Sequence, residues 1–221
     1  MRLRFRANSY CLLSAFISAG SLAGAAHASL LTVLNPSFES PALEEGRWTI
    51  TAPEDWTLSN SGGAVRFRAS NYSSKYIDPV PDGHQVAYIA NGSMTQTLTE
   101  NLTANTEYAL TVYVGNREDL HIDNYEIQLL AGGALIATSG TNPMMPGLGN
   151  WAPYTLTYEA GPNDAYLGQR LGIRMKAWSS SPDDLQTNFD MISLSATPIP
   201  IPGTACLLGL GLIGLIKRRS A

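Results

Sequence analysis

Two carboxylates aimed at one bond, usually about 5 to 10 Å apart, are what glycoside hydrolysis requires, and the acidic residues of this chain are spaced poorly for it. Glu118-Asp119 and Asp183-Asp184 are adjacent, and Asp123 and Glu126 are three apart. On a strand only residues two apart share a face, so the members of each pair diverge, although carboxylates from different strands could still converge. Serine-hydrolase chemistry lacks its Gly-x-Ser-x-Gly elbow. Of the three histidines, His27 falls in a leader segment and His84 and His121 have no metal-binding spacing. These patterns predict a non-catalytic protein.

Charge and cysteine usage narrow the setting. Of 14 Lys and Arg residues, Arg2, Arg4 and Arg6 lie at the front and Lys217, Arg218 and Arg219 at the back, leaving eight against all 18 acids between them. An acidic domain repels phosphate backbones, so nucleic acid is excluded as a partner. Cys11 lies in the leader and Cys206 in an apolar tail, so the domain has neither a disulfide framework nor a cysteine metal site.

The elements that must position any site follow from periodicity. Residues 1–28 combine a basic start, an apolar run from Cys11 to Ala26 and the small-x-small triplet Ala26-His27-Ala28. They read as a signal peptide cut by signal peptidase before Ser29. From 29 to 196, short alternating runs separated by Gly, Pro, Asn and Asp predict one all-β domain, a β-sandwich. Strands are expected near 30–34, 47–51, 64–68, 85–90, 93–99, 107–115, 124–131, 134–138, 152–159, 170–177 and 188–195. Gly132-Gly133 reads as a hairpin turn. Long loops at 52–63, 70–84, 139–150 and 178–187 are the expected binding loops.

Three stretches occur in order: Asn35-Pro36-Ser37-Phe38-Glu39, Asp82-Gly83-His84-Gln85-Val86-Ala87-Tyr88 and Phe189-Asp190-Met191-Ile192-Ser193-Leu194. Together they resemble the galactose-binding-like jelly roll of bacterial carbohydrate-binding modules. The resemblance implies a structural Ca2+ held by Glu39 and Asp190, to which Asn35 could add an oxygen, since Ca2+ takes six to eight hard ligands. The alternative is a solvated Glu39 and an Asp190 that accepts turn hydrogen bonds. A sugar-binding module also needs aromatic platforms for pyranose rings. Trp56, Tyr72, Tyr76 and Trp178, in or beside polar loops, are the candidates, with edge packing as their other use.

The tail from 197 to 221 combines Pro198, Pro200 and Pro202, an apolar run at 203–216 and the cluster Lys217, Arg218 and Arg219. As a helix the 14-residue run spans about 21 Å, short of the roughly 30 Å bilayer core. It resembles the PEP-CTERM sorting signal of Gram-negative bacteria, without that family's glutamate. The resemblance implies a membrane-spanning sorting helix, a transient inner-membrane stage and cleavage by an exosortase-type transpeptidase. The basic end keeps the tail cytoplasmic and the domain exported. The combined expectation is an exported cell-surface or matrix protein that binds exopolysaccharide. The alternatives are a structural matrix or adhesion protein with no carbohydrate pocket and, third, a glycan-active enzyme.

Overall fold

The computed structural model describes residues 27–67, 75–120, 122, 124–179 and 186–200, and these contain no helix. Period-two alternation builds ten strands among them. They are β1 (Ser29–Leu31), β2 (Trp48–Thr49), β3 (Thr57–Val65), β4 (Val86–Asn101), β5 (Thr106–Asn116), β6 (Asn124–Ala131), β7 (Ala134–Thr138), β8 (Asn150–Ala160), β9 (Arg170–Trp178) and β10 (Thr187–Pro198). The expected leader (1–28, except its last two residues) and the tail beyond Pro200 lie outside the described residues. None of the described residues forms a helix long and apolar enough to cross a membrane.

Antiparallel pairing arranges the strands in two layers. One runs β2-β3-β4-β9-β6-β7 and the other β1-β10-β5-β8. β10 belongs to both, because Thr187, Asn188 and Phe189 pair with β4 while Asn188 to Pro198 pair with β5. The result is an all-β sandwich joined along one edge. In β5, Tyr108, Leu110, Val112 and Val114 are buried against Ile127, Leu129, Ile173 and Met175 of the facing layer.

Two strands depart from the expected pattern for a common reason, glycine at a close approach. β3 runs through 57–65, most of it expected as loop, because Gly63 passes so near β2 that a Cβ would lie 1.9 Å from the Thr49 carbonyl oxygen. β4 is one strand where two were expected. Gly92 (φ 148°) lets the chain pass Ser59, whose carbonyl oxygen would be 1.9 Å from a Cβ, and a bulge at Ala90 lies between the pairs Ser61 with Asn91 and Gly62 with Ile89. In β10, Met191 (φ 46°) forms a further bulge that turns its side chain out and leaves Asp190 fully buried.

Candidate active site

Antiparallel alternation places the ends of β3, β5, β7 and β9 and the starts of β4, β6, β8 and β10 at one end of the sandwich, with the long loops. Register then decides which side chains share a surface there. Directly opposed residues share a face, and the pairs Trp48 with Val65, Val65 with Val86, Gly63 with Tyr88, Tyr88 with Asn188, Asn188 with Gly115 and Gly115 with Trp151 run across the joined sheets. That face points away from the sandwich core. It is roofed by loop residues: Phe67 follows β3, Tyr76 precedes β4 and Arg117 follows β5.

Under this roof lies a cavity of about 320 Å3 lined by Trp48, Val65, Phe67, Tyr88, Arg117 and Gln186, within the range of small-molecule sites. Tyr76 forms the layer behind it. Its ring meets Phe67 edge-on at 5.6 Å and stacks on Trp151 at 4.7 Å. Its hydroxyl donates to Asn188 Oδ1 (2.7 Å), and Asn188 Nδ2 donates to the Ala87 carbonyl (3.2 Å), which fixes the amide's orientation. Tyr88 donates to the Thr49 carbonyl (3.0 Å), and burial raises the pKa of its hydroxyl.

Arg117 is the cationic group among the described lining residues. Its Nε and one terminal nitrogen donate to the two oxygens of Asp119, both at 2.9 Å, and the other terminal nitrogen donates to Gln186 Oε1 at 2.8 Å. The guanidinium carbon sits 5.2 Å from the Phe67 ring centroid. Lys75 also donates to Asp119. Burial disfavours the Asp119 charge, but the bonds and charges of Arg117 and Lys75 outweigh it and hold that carboxyl below the usual range. Three loops are thereby tied together beside the cavity.

A second polar cluster joins the three stretches singled out in the sequence. Glu39 Oε1 accepts the backbone N–H groups of His84 (2.7 Å) and Gln85 (2.6 Å). Asp190 accepts those of Asp82 (3.1 Å) and Met191 (2.7 Å), and Ser37 donates to Asp82 Oδ2 at 2.7 Å. Burial foremost, with the charges of Asp82 and Glu39, pushes the Asp190 carboxyl up to about 8. Asn35 is spent elsewhere: its amide binds Ser40 and the Glu54 carbonyl. Among the described residues no three His, Cys, Asp or Glu side chains are grouped to hold a metal.

The three described aromatic candidates, Trp56, Tyr76 and Trp178, are not brought together. Trp56 is 5% exposed, packs on Phe38 at 5.3 Å and donates its indole N–H to the Asn35 carbonyl. Tyr76 is fully buried in the cavity wall. Trp178 lies elsewhere, beside a shallow depression with Ser59 and Asn60, under the Lys176 ammonium at 5.2 Å. Tyr72 lies outside the described residues, as do Asp123, Asp183, Asp184 and His121. Of the tail, Pro198 ends β10 and Pro200 follows it, while Pro202, Lys217, Arg218 and Arg219 lie outside. At the front, Ala28 directly precedes β1, which Ser29 begins, and Ala26 lies outside. Sequence patterns give no sign of Trp48, which looks like a strand start, or of Arg117, which looks like a loop charge.

The comparisons with known proteins bear on this cavity. The HpiC1-like family, described as HpiC1 cyclase, matches residues 29–195. A crystal structure of the Stig cyclase Fisc from Fischerella sp. TAU, in complex with (3Z)-3-(1-methyl-2-pyrrolidinylidene)-3H-indole, superposes with a TM-score of 0.70 at 27% identity, covering 78% of this chain and 100% of that one. A cyclase from Fischerella sp. TAU in complex with 4-(1H-indol-3-yl)butan-2-one matches with a TM-score of 0.68 at 26% identity, covering 78% and 100%. Among curated proteins there is no match.

These findings correct the expectations drawn from sequence. The matched family is one of cyclases, so the expectations of a non-catalytic matrix protein, a carbohydrate-binding module and a PEP-CTERM substrate are overturned. Signal peptidase, an exosortase, the inner membrane and exopolysaccharide are not supported as partners, and the similar solved cyclases are instead in complex with small indole compounds. The physical reason is that ring closure needs no water-activating pair of carboxylates, and aromatic walls drawn from separate segments look like core in the sequence. By the match across its β-sandwich, the chain belongs to the HpiC1-like cyclase family.

Proposed function

We propose that this chain is an enzyme that closes a ring on a small aromatic substrate of the indole class, held in the cavity between Trp48, Phe67, Tyr88 and Arg117. The observation that carries this reading is an aromatic-walled cavity of about 320 Å3 at the loop end of a chain in a cyclase family. Aromatic faces hold a flat substrate in a folded conformation and stabilise positive charge developing on it. The Tyr76 and Asn188 pair keeps the wall rigid, so the geometry costs little to organise during the reaction. The test is incubation of the full chain with indole substrates bearing an unsaturated side chain, followed by chromatography with mass detection. A product of unchanged mass and new retention, reduced at least tenfold by Phe67→Ala, is expected. Absence of turnover and of binding across such substrates would overturn the proposal.

We also propose that Ca2+ binds at Glu39 and Asp190, with Asp82 in place of Asn35. The support is that the charges of Glu39 in the first loop and Asp82 on the approach to β4 both act on the buried Asp190 carboxyl at the bulge of β10, so a cation would draw together three carboxylates that are not grouped without it. A divalent cation there would tie these segments together. Millimolar Ca2+ should raise the melting temperature, and no shift would remove the idea. Export of the domain is a further proposal, resting on the basic start and apolar run ahead of residue 29. Recovery of the whole population from the cytosol would refute it.

A further inference from the structure

Arg117 carries five N–H donors, and three are spent on Asp119 and Gln186. The two that remain, one on each terminal nitrogen, have no partner among the described residues. The side chain is 7% exposed, and what adjoins it is the cavity. Among the described residues, no carboxylate or imidazole lines that cavity. The nearby acid Asp119 is shared between two cations, Arg117 and Lys75, so the balance of this ionic cluster is positive. Glu45, close in sequence to Trp48, opens instead on a neighbouring depression with Arg66 and His84.

A buried donor without an acceptor is costly, and a second cation beside a buried guanidinium more so. Phe67 covers one face of the guanidinium, and Asp119 and Gln186 fix its edge, so it cannot swing away to admit an ammonium. We infer that Arg117 is the specificity-determining residue of the pocket. It selects an aromatic substrate bearing a neutral or anionic hydrogen-bond acceptor, such as a carbonyl, and rejects the same skeleton bearing an ammonium group. The inference rests on the aromatic-substrate reading above and deepens it. Sites built around a hydrogen bond discriminate against ligands that leave it unmade far more sharply than sites that measure size.

The test uses two probes with one skeleton, 4-(1H-indol-3-yl)butan-2-one and 4-(1H-indol-3-yl)butan-2-amine, the second protonated at neutral pH. Their dissociation constants for the full chain are measured by calorimetry. The ketone should bind at least tenfold more tightly. Arg117→Met should bring the two within about twofold of each other, by weakening the ketone and admitting the amine. Arg117→Lys, which keeps the charge, should still reject the amine. Equal binding of both probes by the unaltered protein overturns the inference and leaves the aromatic pocket standing, a result that needs no variant to fold. Discrimination by Arg117→Met as sharp as the parent's overturns it equally. Failure of both probes to bind overturns this inference together with the proposed function.

Discussion

The rings of Tyr76 and Trp151 stack at 4.7 Å with their planes 25° apart, and Gly115 makes room for both. A Cβ on Gly115 would lie 2.6 Å from the Tyr76 hydroxyl oxygen and 2.7 Å from the Trp151 ring. The wall of the cavity is therefore set by a missing side chain. Gly115→Ala should cost about 1–3 kcal/mol through overpacking. Because the displaced ring is Tyr76, substrate binding should weaken more than tenfold even in the folded fraction. Thermal unfolding and calorimetry on the same sample would separate the two effects, and unchanged binding would disconnect Tyr76 from the site.

Trp48 is 65% exposed yet lines the cavity. Trp48→Ala should change stability by no more than about 0.5 kcal/mol, as exposed positions do. The Michaelis constant for an indole substrate should rise severalfold. A large loss of stability with intact kinetics would assign Trp48 to packing.

On the acid side, Asp119 has its pKa held below the ordinary 3.8 in the folded protein. Its contribution to stability is then present above that value and is lost as pH falls through the lower folded one. Asp119→Asn should flatten this acid limb. It should also leave Arg117 without its counter-charge, at a cost of about 1–3 kcal/mol. Denaturant midpoints across pH 2 to 5 for both proteins would check the sign.

At the alkaline end, burial pushes the Tyr125 hydroxyl from the ordinary 10 up to about 12. Its contribution is intact below pH 10 and is lost as pH rises towards 12. Tyr125→Phe should shed part of this alkaline loss while giving up the hydrogen bond to the Met144 carbonyl at neutral pH. Urea midpoints from pH 8 to 12 would show whether the curves converge.

Gly83 (φ 63°) holds the backbone turn that presents the His84 and Gln85 amides to Glu39, and a Cβ would fall 2.3 Å from Glu39 Oε1. Gly83→Ala should displace that carboxylate and, with it, any Ca2+-dependent rise in melting temperature. An unaltered Ca2+ response would exclude Glu39 from the cation site.

Much of the fold was legible from alternation. β6 and β7 span 124–131 and 134–138 as expected, joined by Gly132-Gly133 with both φ positive. What misled was glycine inside strands: Gly62, Gly63 and Gly92 look like loop residues, although close approach demands them there. The active site was much less legible. Trp48, Phe67, Arg117 and Gln186 come from four separate segments, and no local spacing links them. Tyr76 looks in the sequence like an exposed platform beside a polar loop, and tertiary packing buries it. Glu39, Asp82 and Asp190 each lie in one of the three motifs, but no local spacing tells which backbone amides Glu39 and Asp190 accept from.

The sharing of β10 between the two layers has a consequence for how the enzyme comes into being. This strand brings Asn188 to the pocket wall and Asp190 to the acidic cluster, and Gln186 immediately precedes it. It is also the last strand of the sandwich to leave the ribosome. Catalytic competence is therefore all-or-none with respect to synthesis: a nascent chain that has folded β1 to β9 has neither a closed sandwich nor a complete pocket, so prematurely terminated chains cannot sequester substrate.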